Sequence, residues 1–363
     1  MSKAAELAAL IGSGQAQGDK NLIINGNMAV SQRGTSHSYA HDGTRNAYNL
    51  DRFKLQMRNT SDEFDATVAQ VSDSPDGFSN SLKMTTGTPE STVGADEYYI
   101  IEQRIEAQNL QHLAYGTSSA KATTLSFYVK SSVTGTFGCS FYQPDSVRII
   151  NKTYTIDSAN TWERKIITVV GDTSGVIDNN NEAGLFIYWI LGSGSDYDGG
   201  STATTWTDYI TTNLVDSSSS DDIVTTAGAT WQVTGIQLEV GDVATPFEHE
   251  SFAATLRKCH RYYIQGTNIG SFYPVGLGTA SSGTSFRGMI PTSVEMRTVN
   301  TFGNLTGARG NGTAKTLSSH SLQEVTALGV GFNATSSSLT ASQAYVVVNS
   351  ASDGSEFYLD GEL

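Results

Sequence analysis

Residues 124–130 read Thr-Leu-Ser-Phe-Tyr-Val-Lys, a short run of β-branched and aromatic residues that is typical of a β-strand. Similar runs recur along the chain, separated by clusters of Gly, Asn, Asp, Ser and Pro, at residues 22–24, 53–57, 67–71, 81–84, 98–101, 137–142, 164–170, 185–191 and 231–240. Short strands with almost no helix between them favour an all-β fold, specifically an antiparallel β-sandwich of the jelly-roll type.

A short helix is predicted at the N-terminus. Ser2 can cap it, and Gly12 ends it. An apolar stripe recurs at helical spacing through Ala4, Leu7, Ala8 and Ile11. A helix of about ten residues is marginal alone in water, so we expect this stripe to pack against copies of itself or against a partner. The alternative is a frayed remnant of an expression or transit segment.

A second helix is predicted over residues 252–263, where one face carries Phe252, Leu256, Cys259 and Tyr263. Further strand-like runs follow it and predict a smaller β domain. The expected organisation is an N-terminal helix and hinge at 1–20, a jelly-roll sandwich at 21–262 and a C-terminal β domain at 263–363. Two polar stretches, 191–208 and 215–228, are expected to be surface loops, the second of them mobile.

Composition excludes several classes of protein. The 363 residues include 22 basic and 36 acidic side chains, a formal net charge of −14, which disfavours binding to nucleic acid or to anionic membranes. No apolar run approaches the roughly 18 residues of a membrane-spanning helix, and no secretion signal is recognised at the N-terminus. Two cysteines, Cys139 and Cys259, exclude a disulfide framework.

Several segments resemble a jelly-roll module of tailed-bacteriophage structural proteins, especially tail-fibre and virion-surface proteins of marine phages and cyanophages. Residues 21–36 carry its opening, Asn-Leu-Ile-Ile-Asn-Gly-Asn-Met-Ala-Val-Ser-Gln-Arg-Gly-Thr-Ser. The later motifs occur in the same order: Asp-Arg-Phe at 51–53, Glu-Gln-Arg-Ile-Glu at 102–106, Leu-Ser-Phe-Tyr-Val-Lys-Ser-Ser at 125–132, Thr-Gly-Ile-Gln-Leu-Glu-Val-Gly at 234–241, Ala-Thr-Pro-Phe-Glu-His at 244–249 and Cys-His-Arg-Tyr-Tyr at 259–263. The resemblance covers residues 21–263 and continues loosely to the C-terminus, departing at Asn300, where related sequences tend to have proline.

The resemblance implies a virion protein, assembled in the bacterial cytoplasm as a homotrimer, whose sandwich is similar to carbohydrate-binding modules. We expect a non-enzymatic tail-fibre or host-adhesion component, attached through its N-terminal helix to other phage tail or capsid proteins. Its external partner would be host cell-surface polysaccharide. Two alternatives stay open: a capsid head-fibre or decoration protein, and a polysaccharide depolymerase.

The acidic residues do not form a convincing catalytic pair. Glycoside hydrolysis needs two carboxylates about 5–10 Å apart, whereas Glu102 and Glu106 on one strand are about 13 Å apart. Arg104 lies between them on the same face, so an ion pair is the better interpretation. The histidines have no metal-ligand spacing. We therefore expect no catalytic residue, metal site or cofactor, while the acidic loops 196–198 and 216–222 leave a structural calcium ion open.

A sugar-binding site requires exposed aromatic rings beside hydrogen-bonding side chains, because C–H faces of pyranoses stack on rings and hydroxyls bind polar groups. Trp206 lies in a polar loop and is flanked by Tyr197, Tyr209 and Asp208. These four residues are the candidate glycan-binding set. The competing interpretation is that Trp206 fills the rim of the sandwich or a subunit interface.

Overall fold

The computed structural model describes residues 20–40, 44–61, 63–266, 273–303, 307–310, 313–336, 339–349 and 357–363. The chain divides into two compact units, with the boundary between Glu250 and Ser251. The predicted N-terminal helix with Ala4, Leu7, Ala8 and Ile11 lies outside the described residues, so its role in attachment stays a prediction. None of the described helices is long and apolar enough to span a membrane.

The first unit is an antiparallel β-sandwich. One sheet has the spatial order β1 (Ser36–Tyr39), β4 (Ala66–Val71), β5 (Ser81–Thr86), β13 (Thr230–Val240), β7 (Thr123–Ser131) and β10 (Glu163–Val169). The other has the order β12 (Thr207–Asp208), β9 (Arg148–Ile156), β8 (Gly135–Gln143), β11 (Ala183–Ser193), β6 (Tyr98–Glu106), β3 (Lys54–Arg58) and β2 (Arg45–Tyr48). The chain crosses repeatedly between the sheets, and the predicted all-β sandwich is confirmed.

The core of this unit lies between the two sheets and is rich in aromatic rings. Trp189 is fully buried, with ring centroids 6.4 Å from Phe53 and 6.1 Å from Phe127. Trp231 is also fully buried, and its indole N–H donates to the hydroxyl of Tyr154 over 3.0 Å. These rings follow the strand alternation, in which every second side chain faces the core.

Buried polar side chains on β13 explain one of the recognised motifs. The Glu239 carboxylate accepts hydrogen bonds from the backbone N–H and the hydroxyl of Thr245, over 2.8 and 2.7 Å. The side-chain carbonyl of Gln237 accepts from the N–H of Glu248 over 2.8 Å. Gln237 and Glu239 are both fully buried, so the segment that follows β13 is held back against its own strand.

The first described residues are also hydrogen-bonded to β13, and we call this contact the clasp. The Asn21 side chain donates to the carbonyl of Ile236 over 3.1 Å and accepts from the N–H of Leu238 over 3.0 Å. The N–H of Asn21 donates to the Glu248 carboxylate over 3.0 Å. At Gly26 the backbones approach so closely that an added Cβ would lie 2.1 Å from the carbonyl oxygen of Ile236. The opening motif therefore packs its backbone directly against strand β13.

The two stretches that were predicted to be polar loops contain short helices and buried side chains. Short helices occur at Ser195–Asp198 and Asp222–Thr225, and 3₁₀ turns at Ala107–Leu113 and Thr211–Asn213. Ile223 and Val224 are fully buried in the sandwich core. The N–H of Glu90 also donates to the carbonyl of Val224 over 2.9 Å. Residues 215–228 therefore contribute apolar side chains to the core, and the prediction that the whole stretch is a surface loop is wrong.

The second unit begins with the helix Phe252–Cys259, which Ser251 caps by accepting from the N–H of Ala254 over 3.2 Å. A small sheet has the order β14 (Tyr263–Gly266), β23 (Phe357–Asp360) and β17 (Thr301–Gly303). A larger one has the order β19 (Thr313–Thr316), β18 (Gly307–Gly310), β22 (Ala344–Asn349), β15 (Tyr273–Ala280), β16 (Ser285–Pro291), β21 (Gly329–Thr335) and β20 (Ser318–Thr326).

This unit has its own apolar core, which includes Phe286, Phe332 and Tyr345. The predicted helix is present but shorter than expected, and it belongs to the second unit, not to the sandwich. The segment that follows the helix is bonded to the end of the second unit, since the carbonyl of Tyr262 accepts from the N–H of Gly361 over 2.7 Å. This contact explains why the helix belongs to that unit. Cys259 is fully buried, as expected for a small apolar side chain.

Candidate functional site

The outer face of the seven-stranded sheet in the first unit is unusually rich in tyrosine. Along β6, Tyr99 and Ile101 enter the sandwich core, so Tyr98 and Ile100 lie on the opposite face. The same alternation brings Tyr188 of β11 to that face. These side chains form a second apolar cluster with residues from the segment between β11 and β13, namely Tyr197, Ala203, Tyr209, Leu214 and Val215.

A cleft of about 260 Å³ opens within this cluster. Its lining consists of five tyrosines and three other side chains: Gln56, Tyr98, Ile100, Tyr142, Tyr188, Tyr197, Tyr209 and Leu214. Two ring pairs form its walls. Tyr98 and Tyr197 pack edge to face with centroids 4.8 Å apart, and Tyr142 packs against Tyr209 at 5.1 Å and 60°.

Three of the five tyrosine hydroxyls of the cleft are available for hydrogen bonding. Within the described residues, the hydroxyls of Tyr98, Tyr142 and Tyr188 have no hydrogen-bond partner. Burial raises the pKa of all three phenols above the usual value, so each stays protonated at neutral pH and can both donate and accept. The cleft therefore combines ring surface with neutral polar groups.

Buried hydrogen bonds hold the cleft wall against the sheet. The carbonyl of Leu214 accepts from the Ser140 hydroxyl over 2.8 Å and from the Asn151 side chain over 3.0 Å. The side-chain carbonyl of Asn151 accepts from the N–H of Ala203 over 2.8 Å. Ser140 and Asn151 are themselves buried, so the covering segment is fixed by its backbone rather than by surface contacts.

A charged cluster lies next to the cleft on the same sheet face. The fully buried Glu102 carboxylate pairs with Arg104 over 2.9 Å and with Lys54 over 3.4 Å. The guanidinium of Arg104 lies 4.3 Å from the ring centroid of Phe186. The predicted ion pair between Glu102 and Arg104 is present.

The predicted glycan-binding residues separate into two groups. Tyr197 and Tyr209 line the cleft, and the Asp208 carboxylate is exposed and pairs with Arg148 over 3.0 Å. Trp206 does not line the cleft. It is only 9% exposed, and its N–H donates to the carbonyl of Val170 over 2.7 Å.

The expectation that Trp206 is an exposed aromatic platform is therefore wrong. Its ring also packs edge to face on Tyr115 with centroids 5.9 Å apart, so it fills the rim of the sandwich, as the competing interpretation held. The residues missed by sequence reasoning are Gln56, Tyr98, Tyr142 and Tyr188. For the three tyrosines, the sequence signal is the strand alternation. On β6, β8 and β11 a tyrosine is adjacent to a residue that faces the core, so its own side chain faces outward.

The acidic loops do not converge on a metal site in the described part of the chain, where no three His, Cys, Asp or Glu side chains are grouped as ligands. Asp198 and Asp221 instead accept hydrogen bonds from Ser193, whose hydroxyl donates over 3.0 Å to the first and whose N–H donates over 2.9 Å to the second. Burial raises the pKa of Asp221 to about 6. In the described residues, the acidic side chains of these loops do not form a set of calcium ligands.

No family model and no curated protein matches this chain. Among solved structures, it is similar to the enzymatically active domain of tailspike protein 4 from bacteriophage CBA120, with 14% identity, a TM-score of 0.32, and coverage of 61% of this chain and 21% of that chain. A second similar structure is a family 11 carbohydrate-binding module from Clostridium thermocellum in complex with a β-1,3-1,4-mixed-linked tetrasaccharide. It has 11% identity and a TM-score of 0.29, with coverage of 59% of this chain and 98% of that chain. A third is TmCBM61 in complex with β-1,4-galactotriose, with 7% identity, a TM-score of 0.28, and coverage of 61% of this chain and 99% of that chain. At these scores none of them is evidence for what this chain binds.

Proposed function

We propose that this protein is a structural component of a tailed-phage virion and that its tyrosine cleft binds host cell-surface polysaccharide. The observation that carries the proposal is the cleft itself, in which the half-buried rings of Tyr98, Tyr142 and Tyr209 converge with the Gln56 amide, backed by the buried rings of Tyr188 and Tyr197. Sugar C–H faces stack on aromatic rings, and sugar hydroxyls bind neutral donors and acceptors.

The virion assignment is supported by the resemblance of residues 21–263 to phage fibre and surface proteins. We propose a homotrimeric tail fibre or adhesion component that is attached by its N-terminal helix, with a capsid head-fibre or decoration protein as the alternative location. One shallow cleft contributes modest affinity. Several copies on one trimer, and many trimers on one particle, would make adhesion effective through multivalency.

We propose that the site binds sugar without cleaving it. None of the eight residues that line the cleft carries a carboxylate, whereas hydrolysis of a glycosidic bond requires two. The neighbouring Glu102 is occupied by Arg104 and Lys54. A depolymerase would release reducing ends from purified host polysaccharide. We expect no release above the buffer control, and sustained release would contradict this part of the proposal.

The binding proposal is tested by retention of the protein on immobilised host polysaccharide. Tyr142→Ala and Tyr209→Ala each remove one ring of the cleft wall, and a ring contact is worth about 1 kcal/mol, so we expect binding about fivefold weaker. Tyr188→Phe keeps the ring and removes only the hydroxyl, which separates stacking from hydrogen bonding.

The matched control is Tyr128→Ala, which removes a half-buried tyrosine from the outer face of the other sheet, where it packs on Phe78. We expect this variant to bind like the parent protein. Unchanged binding by both cleft variants, with unchanged melting temperatures, would refute the assignment of the cleft. An equal loss in the Tyr128 variant would refute it as well, because the effect would then not be local.

A further inference from the structure

An apolar stripe crosses three neighbouring strands on the outer face of the larger sheet in the second unit. Leu277 of β15 is the direct register partner of Val346 on β22 and of Met289 on β16. The three side chains are 66%, 37% and 44% exposed, respectively. A contiguous apolar patch on an exposed sheet face can mark an interaction site.

A groove of about 310 Å³ continues the stripe toward the edge strand β20. Gly331 lies between Met289 and Glu324 in the sheet register and leaves the floor without a side chain. An added Cβ at Gly331 would lie 3.2 Å from the side chain of Glu324. Arg287, Gln323 and Asn333 complete the polar rim of the groove.

The polar groups of this groove are not satisfied by the described residues. Arg287 and Glu324 have no ion pair or side-chain hydrogen bond within that part of the chain. The side-chain oxygen of Asn333 is buried and also lacks a partner there. A buried acceptor without a partner is destabilising, so a covering molecule that supplies a donor would stabilise the unit.

We propose that the covering molecule is a second copy of this chain, which packs the same sheet face against this one. The face carries both charge signs, so Arg287 of each copy can pair with Glu324 of the other. The glycine floor provides the space for Leu277 or Met289 from the opposing copy, at the roughly 10 Å spacing of packed sheets. The five strands from β22 to β20 span about 24 Å by 23 Å, which corresponds to the low end of specific interfaces.

The chemistry favours a second copy over a sugar at this surface. Phe332 is the one aromatic residue of the groove lining, and its ring is buried on the core side of the sheet. A sugar would therefore find no ring to stack on. Because each copy presents the same face to the other, the contact is two-fold and joins two copies. It is separate from the contacts that build the proposed homotrimer and from the tyrosine cleft.

The first test is the mass of the full-length protein in solution, measured by sedimentation equilibrium over a concentration series. Leu277→Asp places a charge in the centre of the stripe, and we expect the association to weaken at least tenfold. The matched control is Leu328→Asp, since Leu328 is 75% exposed in the turn between β20 and β21 and lies outside the stripe. It should keep the mass of the parent protein.

Charge reversal provides a second test that does not depend on the apolar stripe. Arg287→Glu and Glu324→Arg should each weaken association, and a mixture of the two variants should associate more strongly than either alone, because the signs then match between copies. A monomeric parent protein would overturn both the oligomer and this surface. An oligomeric parent whose mass survives Leu277→Asp and both charge reversals would overturn only the surface assignment. Retention on host polysaccharide that Glu324→Arg abolishes without changing the mass would overturn it in favour of a sugar.

Discussion

Replacing Trp206 by alanine distinguishes a packing residue from a binding residue. The ring is almost completely buried at the rim of the sandwich, packs on Tyr115 and donates a hydrogen bond to the carbonyl of Val170. Truncation would leave a cavity and would remove the donor from that carbonyl. We therefore expect Trp206→Ala to destabilise the first unit and to leave the tyrosine cleft intact.

The magnitude follows from the contacts. Large aromatic truncations in cores cost about 3–5 kcal/mol, and the residual exposure of Trp206 at the rim places it near the lower value, about 3 kcal/mol. For a unit of this size, each kcal/mol lowers the melting temperature by about 2–4 °C, which gives a decrease of about 6–12 °C. Trp206→Phe keeps most of the ring but loses the N–H, so about 1 kcal/mol or slightly more is expected.

Differential scanning calorimetry is the appropriate assay, because it does not depend on tryptophan fluorescence and can resolve the transitions of two units. Polysaccharide retention, measured well below the melting temperature, should be the same for Trp206→Ala and the parent protein. A variant that melts within about 1 °C of the parent and binds polysaccharide more weakly would refute this reasoning, since Trp206 would then be an exposed binding ring.

Three further predictions concern the sandwich and its attachment. Gly26→Ala should lower the melting temperature of the first unit by several degrees in calorimetry, because the added Cβ has no room beside Ile236, and an unchanged value would contradict the close approach. Burial holds the pKa of Asp221 at about 6, above that of the unfolded chain, so its ionised form opposes folding at higher pH. Asp221→Asn should therefore raise the melting temperature most at pH 7.5 and bring a clearly smaller gain at pH 4, close to the pKa of an unfolded aspartate; equal gains would refute this. Deletion of residues 1–18 should leave a folded trimer that is absent from purified virions, and normal incorporation would refute the attachment role.

The strand content of this protein is readable from the sequence because each strand repeats the same two-residue alternation. Phe127 and Val129 are buried in the core, and the run that contains them predicts a strand without any knowledge of its neighbours. The ion pair between Glu102 and Arg104 is local in the same way, since residues two apart share a strand face. Such features need no information from distant segments.

The cleft and the position of Trp206 depend on distant contacts. Val170, which accepts the hydrogen bond from Trp206, and Tyr115, which packs on its ring, belong to segments far away in the chain. A polar loop around an isolated tryptophan therefore gives no indication that a receiving site exists. The cleft likewise joins Tyr98 and Tyr142 on separate strands with Tyr209 from the covering segment. Each tyrosine alone is indistinguishable from an ordinary strand residue.

The clasp between Asn21 and Glu248 has a consequence for how this sandwich can be inherited. The first described residues and the end of the unit are joined by hydrogen bonds, from the N–H of Asn21 to Glu248 over 3.0 Å and from the Lys20 ammonium to Thr245 over 2.6 Å, so the chain enters and leaves the sandwich at one point. A unit with adjacent ends can be spliced into a surface loop of another protein without stretching its host. Recombination could therefore exchange the whole sandwich, together with its cleft, as one cassette between unrelated scaffolds.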